Sequence, residues 1–563
     1  MNRTLVVILV IAAIAAGLLF GRRSTDTAPS PSTRAAEPAV GATLLEGLGH
    51  YDFPVTTSNP ETQRWFNQGL MLTFGFNHDA AERSFLRATE LDPRCAMCWW
   101  GAALVLGPHV NGGMEPANNT KAWSRLQRAR TLAPQASDRE QAFIAALGAR
   151  YAEAPPADRR SLDEAYARAT RELVAARPDD LDAATLHAEA LMDLQPWAYY
   201  DGASTPVGHT SEIVSTLESV IERNPEHAGA LHLYVHAVEA SASPQRAVAA
   251  ADRLRELIPG SGHLVHMPAH IYSRVGRWHD AVIANQNAIV ADDTYLSICR
   301  GNAQGLYPLG YVPHNHHFLW FAASMEGASA IARNAALQTA ERTHLPDLMR
   351  QPGFAGLQHY WMTPWFDRVR FGRWDEIAGQ PNPAPDLPYV TAIWHYAQGM
   401  AAVRRQRLDE AVEHHAALAK AAVDPMMGTL MVWDRYPLAH AVRIAERTVA
   451  AEIALARGDT DAAIAALREG VQEEDRIPYD EPPGWHAPVR HTLGAVLLAS
   501  GRAPDAETVY REDLTRNPEN GWSLRGLAGS LAAQKKLDDA KVAESRLAAT
   551  WQHADVKPEG SRF

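Results

Sequence analysis

Two short stretches place histidines where they could hold an ion. His232-Leu-Tyr-Val-His236 and His266-Met-Pro-Ala-His270 each carry imidazoles at i, i+4, which puts both rings on one face of a helix. The pairs stand 34 residues apart. Glu239 falls one turn beyond His236, and His263 one turn before His266. Neutral imidazoles with a carboxylate suit a divalent transition metal: Zn, Fe, Ni or Cu. Neither pair has Glu directly after its first histidine, so the H-E-x-x-H pattern of metalloproteases is absent. His314 and His317 echo the arrangement. Counting back ten and thirteen residues from Gly327 reaches them, as the same counts from Gly276 reach His266 and His263, and from Gly372 reach Met362 and His359. The expected metal set is therefore His232, His236, Glu239, His263, His266 and His270, with His314 and His317 nearby. The competing reading makes these side chains hydrogen-bonded core residues or polar contacts for a bound peptide.

Cys95-Ala-Met-Cys98 is the other chemical candidate. The residue after Cys98 is Trp99, so covalent haem attachment has no support, and the lack of a second CxxC excludes a four-cysteine zinc site. The pair could close a disulfide in an oxidising compartment, bind Cu(I) together with Met97, or simply be two small buried residues at a helix contact. Cys299 stands alone. There is no Gly-rich phosphate loop, no G-x-S-x-G and no Asp-rich calcium loop.

The elements that must position these residues are helical. Trp65, Gly69, Leu72, Ala81, Phe85, Ala88 and Pro93 fit two amphipathic helices joined by a tight turn near Asn77. Gly69 and Ala81 are small where the helices meet, and Pro93 closes the second. This pattern resembles the tetratricopeptide repeat. It recurs: Pro225 and Pro259, Ala247 and Ala281, and Ala506 and Ala540 are each 34 residues apart. The segments His263–Tyr272 and Pro313–Phe318 are similar to those of a group of bacterial exported tetratricopeptide-repeat proteins, with no activity attached. The resemblance implies an all-α fold, a right-handed α-solenoid whose concave face grips a peptide or protein partner. About 18 to 22 helices are expected. Gly107–Asn119, Tyr199–Thr210 and Leu296–Pro313 exceed the repeat pattern and are expected to sit at one edge or fold over the solenoid. Pro268 and Pro364, eight residues before Gly276 and Gly372, predict broken or late-starting helices.

Composition bounds the rest. The chain has 563 residues, 46% hydrophobic and 21% charged, enough for a large core. A net charge of -12 argues against nucleic acid as the main partner. Leu5–Phe20 is an unbroken apolar run of about 24 Å as a helix, short against a hydrocarbon core of roughly 30 Å. It reads as a signal peptide or signal anchor over residues 1–23, followed by a disordered Ser/Pro/Ala linker over 24–45. N-terminal repeats are then expected over 46–200, His-rich central repeats over 201–345 and C-terminal repeats over 346–563. The expected protein is exported, on the periplasmic side of the inner membrane, anchored or released. It binds a peptide or protein partner in its groove; the alternative is a metal-binding protein or metal-dependent enzyme using the His/Glu cluster.

Overall fold

The computed structural model describes residues 41–563 except 203, 300–304 and 352. The apolar run and most of the spacer lie outside the described residues. Among those residues the chain is all-α, with one two-residue hairpin pairing Met431–Val432 to Tyr436–Pro437. No described helix is long and apolar enough to cross a membrane.

Helix Pro60–Phe74 opens under an Asn59 cap with proline in its first turn, and the chain turns at Asn77 into helix His78–Leu91. Phe85, on the second helix, is fully buried. It explains the small residues around it. A Cβ on Gly69 would stand 2.7 Å from its ring, and one on Gly101, in the next helix, 2.4 Å. The device recurs near the other end: Tyr510 fills the space that a Cβ on Gly494 or Gly526 would enter, at 2.4 and 2.0 Å. In both places an aromatic ring sits sixteen residues from each of two glycines. A repeat cannot bury such a ring by itself, so neighbouring repeats must stack.

Twenty-one helices of nine residues or more are described, together with six of four to eight residues. The short ones cluster where proline was expected to interrupt. Gly262–His266 and Pro268–Arg274 are two pieces of one expected helix, as are Gly356–Trp361 and Thr363–Arg370. Each second piece runs into a left-handed glycine, Gly276 at φ +80° and Gly372 at φ +65°, before a helix that begins at a tryptophan.

Contacts divide the chain into two compact units, Met1–Ile271 with Asn287–Val312, and Tyr272–Gln286 with Pro313–Phe563. The division runs through the stretch read as central repeats. In the first unit, Trp100 donates its indole N–H to Phe143 O at 3.2 Å. In the second, Trp522 donates to Ser324 O at 2.8 Å. Both indoles are buried with their one donor satisfied.

Candidate metal centre

Helix Ala228–Val238 is buried on every side, which is unusual for a repeat helix with two histidines. The end of helix Pro60–Phe74 covers it. The Phe74 ring lies where a Cβ on Gly229 would stand, at 2.6 Å, so only glycine admits this approach. The Phe74 carbonyl accepts from His232 Nδ1 at 2.6 Å. That bond leaves a lone pair on His232 Nε2, which faces His263 Nε2 at 3.1 Å. His236 Nδ1 donates to Glu239 Oε1 at 3.0 Å, and its Nε2 is buried with no partner. One ring nitrogen from each of His232, His236 and His263 lies within 4.8 Å of the others. Two nitrogens bound to one tetrahedral ion at roughly 2.0–2.1 Å stand about 3.3 Å apart. The observed 3.1 Å separation is close to that requirement.

Glu239 works on a second pair. Its other oxygen accepts from His270 Nδ1 at 2.6 Å, and His270 Nε2 faces His266 Nε2 at 2.7 Å. A carboxylate on the far nitrogen fixes the tautomer and raises the basicity of the near one, as it does behind metal-bound histidines. Burial holds the His232 and His263 imidazoles well below the ordinary histidine range, and neighbouring imidazoles push the same way. The His236 imidazole is also lowered, by burial first. Burial opposes charge on Glu239, but the His270 and His236 imidazoles outweigh it and keep the group a carboxylate. His232, His236 and His263 are thus disfavoured from carrying charge beside the Glu239 carboxylate.

The expected stacking was one turn out of register. A 34-residue offset would set His232 beside His266, whereas its partner is His263, and Glu239 likewise meets His270 across 31 residues. The offset is the same in Gly262–His266 and in Pro268–Arg274, so the break at Met267–Pro268 leaves it unchanged. His236 and His270 do lie together, with ring centroids 6.0 Å apart. These rings do not line an open groove; all five are at most 3% exposed.

Two of the insertions, with Trp197 just before the third and the turn at Phe76–His78, supply what closes the nest. His109, from the 107–119 insertion, packs against Phe76 at 5.1 Å and His78 at 4.4 Å. Burial, then the nearby Arg150, pushes the His78 imidazole down to about 4. Trp197 stands edge-on to His236 at 5.3 Å, and Tyr311 lies over His263 at 4.4 Å. Tyr307 Oη accepts the His263 backbone N–H at 3.1 Å and donates to Asp292 at 2.8 Å. Periodicity could not find His78, His109 or Phe76, because none shares the 34-residue register; the 107–119 insertion was the available signal for His109, and Phe76 and His78 lie at the turn of the first helix pair.

His314 and His317 belong to the second unit. There His314 Nδ1 stands 3.5 Å from Tyr360 Oη, and His317 stacks on Trp320 at 5.4 Å with His359 at 6.2 Å. Cys95 and Cys98 are bonded to each other and fully buried, with Cys95 Sγ also accepting the Cys98 N–H at the helix start. In this state neither sulfur is a thiolate ligand.

The paired helices, the glycine–aromatic–glycine contacts between successive pairs and the prolines that close them settle the kind of repeat. The helix pairs are tetratricopeptide-like. No family model matches it. The cellulose synthase operon protein C of Xanthomonas axonopodis pv. citri (strain 306) is 33% identical over 99 residues, 18% of this chain and 6% of that protein. Among solved structures, the APC/C hetero-tetramer Cut9-Hcn1 aligns with 85% of this chain and 76% of its own at 15% identity and a TM-score of 0.30. The human IFIT1 dimer with m7Gppp-AAAA aligns with 89% and 96% at 11% identity and a TM-score of 0.32. At these scores neither structure bears on what this repeat protein does.

Proposed function

We propose that this repeat protein carries a divalent transition metal in its first unit, on His232, His236 and His263. Glu239 and the Phe74 carbonyl orient two of those ligands from behind. The reading rests on one observation: the hydrogen bonds made by His232 Nδ1 and His236 Nδ1 leave both Nε2 atoms as acceptors beside His263. His270, bonded to Glu239, and His266, which faces His270, extend the donor set. Three histidines leave a coordination position for water or a further ligand, the arrangement of a catalytic rather than a purely structural zinc-type site.

The scaffold is further proposed to act outside the cytoplasm, tethered or released, with a protein or peptide partner on its repeat surface. The apolar run before the spacer supports export, and so does the Cys95–Cys98 disulfide, since such bonds persist in oxidising compartments. The deciding measurement is metal analysis of full-length protein purified without a histidine tag, after exposure to micromolar Zn, Cu, Ni and Fe. About one tightly held equivalent is expected. Protein that retains none of the four after desalting would end the metal reading and leave partner binding as the function.

A further inference from the structure

The second unit contains a small cavity whose walls carry three guanidinium groups, those of Arg370, Arg404 and Arg562. Its free volume is about 50 Å³. Arg370 is 6% exposed, and among the described residues it forms no ion pair with a carboxylate. Its NH1 donates to His491 Nδ1 at 3.1 Å, and His491 in turn donates from Nε2 to Asp513 at 3.0 Å. The guanidinium also lies over the Trp522 ring at 4.0 Å. Its Nε is buried with no acceptor, and so is the Nε of Arg404. Arg404 and Arg562 share a single acid, Glu452.

The charges do not balance. Among the side chains, three cations face two carboxylates, Glu452 directly and Asp513 through the His491 imidazole. Burial pushes Arg370 down to about 9, and burial with the neighbouring Arg404 charge pushes Arg562 to about the same value. Withdrawing cations from water in excess of their counter-charges is costly, so a structure that keeps three together gains from one added negative charge.

We infer that this cavity binds a small carboxylate monoanion, held by Arg370 and Arg404. A planar carboxylate matches the guanidinium fork, carries the single charge that is missing and accepts the two unused Nε–H donors. The aromatic and apolar lining of Trp374, Tyr396, Met400 and Trp485 leaves room for a short carbon chain and not for a long polar one. This site is independent of the histidine nest, and its test does not involve metal.

Acetate titrated calorimetrically into full-length protein, with chloride as the ionic-strength control, is expected to bind saturably in the millimolar range. Arg370→Gln should weaken it by about tenfold or more. Should that variant fail to fold, Arg562→Gln, nearer the surface, should weaken it as well. Arg333→Gln, which removes an exposed pair with Glu376 in the same unit, should leave it unchanged. No saturable acetate binding to the wild-type protein would overturn the inference. So would equal affinity in Arg370→Gln or, where that variant does not fold, in Arg562→Gln. Inorganic phosphate binding more tightly than acetate would overturn the assignment to a carboxylate.

Discussion

Both units bury histidines, and they use them in opposite ways. In the first, His232, His236 and His270 donate from Nδ1 to a carbonyl or to Glu239, and their Nε2 atoms are turned toward other imidazoles. In the second, protein donors occupy a ring lone pair of three buried histidines. Tyr389 donates to His359 Nδ1 at 2.6 Å, Tyr396 to His486 Nε2 at 3.0 Å, and Arg370 to His491 Nδ1 at 3.1 Å. A lone pair already accepting a proton from tyrosine or arginine is not available to a metal. Residue type and burial are therefore alike in the two regions, and the partner on the other nitrogen separates a ligand set from a hydrogen-bonded core.

Exchanging ligands tests that contrast most severely. The double variant His232→Gln and His236→Gln should lose metal uptake altogether, read by metal analysis, while far-ultraviolet circular dichroism stays helical. His359→Gln with His486→Gln should keep the wild-type metal content. Equal metal content in the two double variants would erase the distinction.

Acid reaches the second region without touching the metal question. Burial pushes His359 down to about 4, whereas an unfolded histidine titrates near 6.5. Between those values the unfolded chain binds a proton that the native protein does not, so stability falls as the pH drops through the window. The slope is about 1.4 kcal/mol per pH unit for each such histidine. Denaturant midpoints measured from pH 7 to 4.5 should fall steadily, and should fall less in His359→Gln than in the wild-type protein.

Glu239→Gln is a milder probe of the first region. It keeps the shape and one acceptor but removes the charge behind His236 and His270. Metal affinity should drop about 10- to 100-fold, with stoichiometry retained, as competition with a chelator would show. The smallest effect belongs to Tyr389→Phe. It strips the donor from the buried His359 Nδ1, should cost about 1–3 kcal/mol in chemical denaturation, and should leave metal affinity unaltered.

Much of the helical framework was legible from spacing. Gly69, Phe85 and Ala81 announced a helix pair because only small residues allow close approach around a large ring. Pro268 and Pro364 announced broken helices because proline lacks the N–H that a continuous helix requires. The convergence of the i, i+4 histidines was legible too, since helical periodicity alone aligns each pair. Register across helices was not. His232 meets His263 and not His266, an offset of 31 residues where the repeat spacing is 34, and no count along the chain reveals that.

Composition and local periodicity by themselves determined that this protein is helical, repetitive and rich in paired imidazoles. Those properties follow from neighbours within a few residues of one another. Tertiary structure alone decided which ring nitrogen each histidine keeps free. That choice depends on the Phe74 carbonyl, 158 residues from His232, on His109, Trp197 and Tyr311, which seal the nest, and in the second unit on tyrosines and arginines that occupy the lone pairs instead. Hydrogen-bond partners brought together by packing leave no mark in the spacing of the residues that receive them.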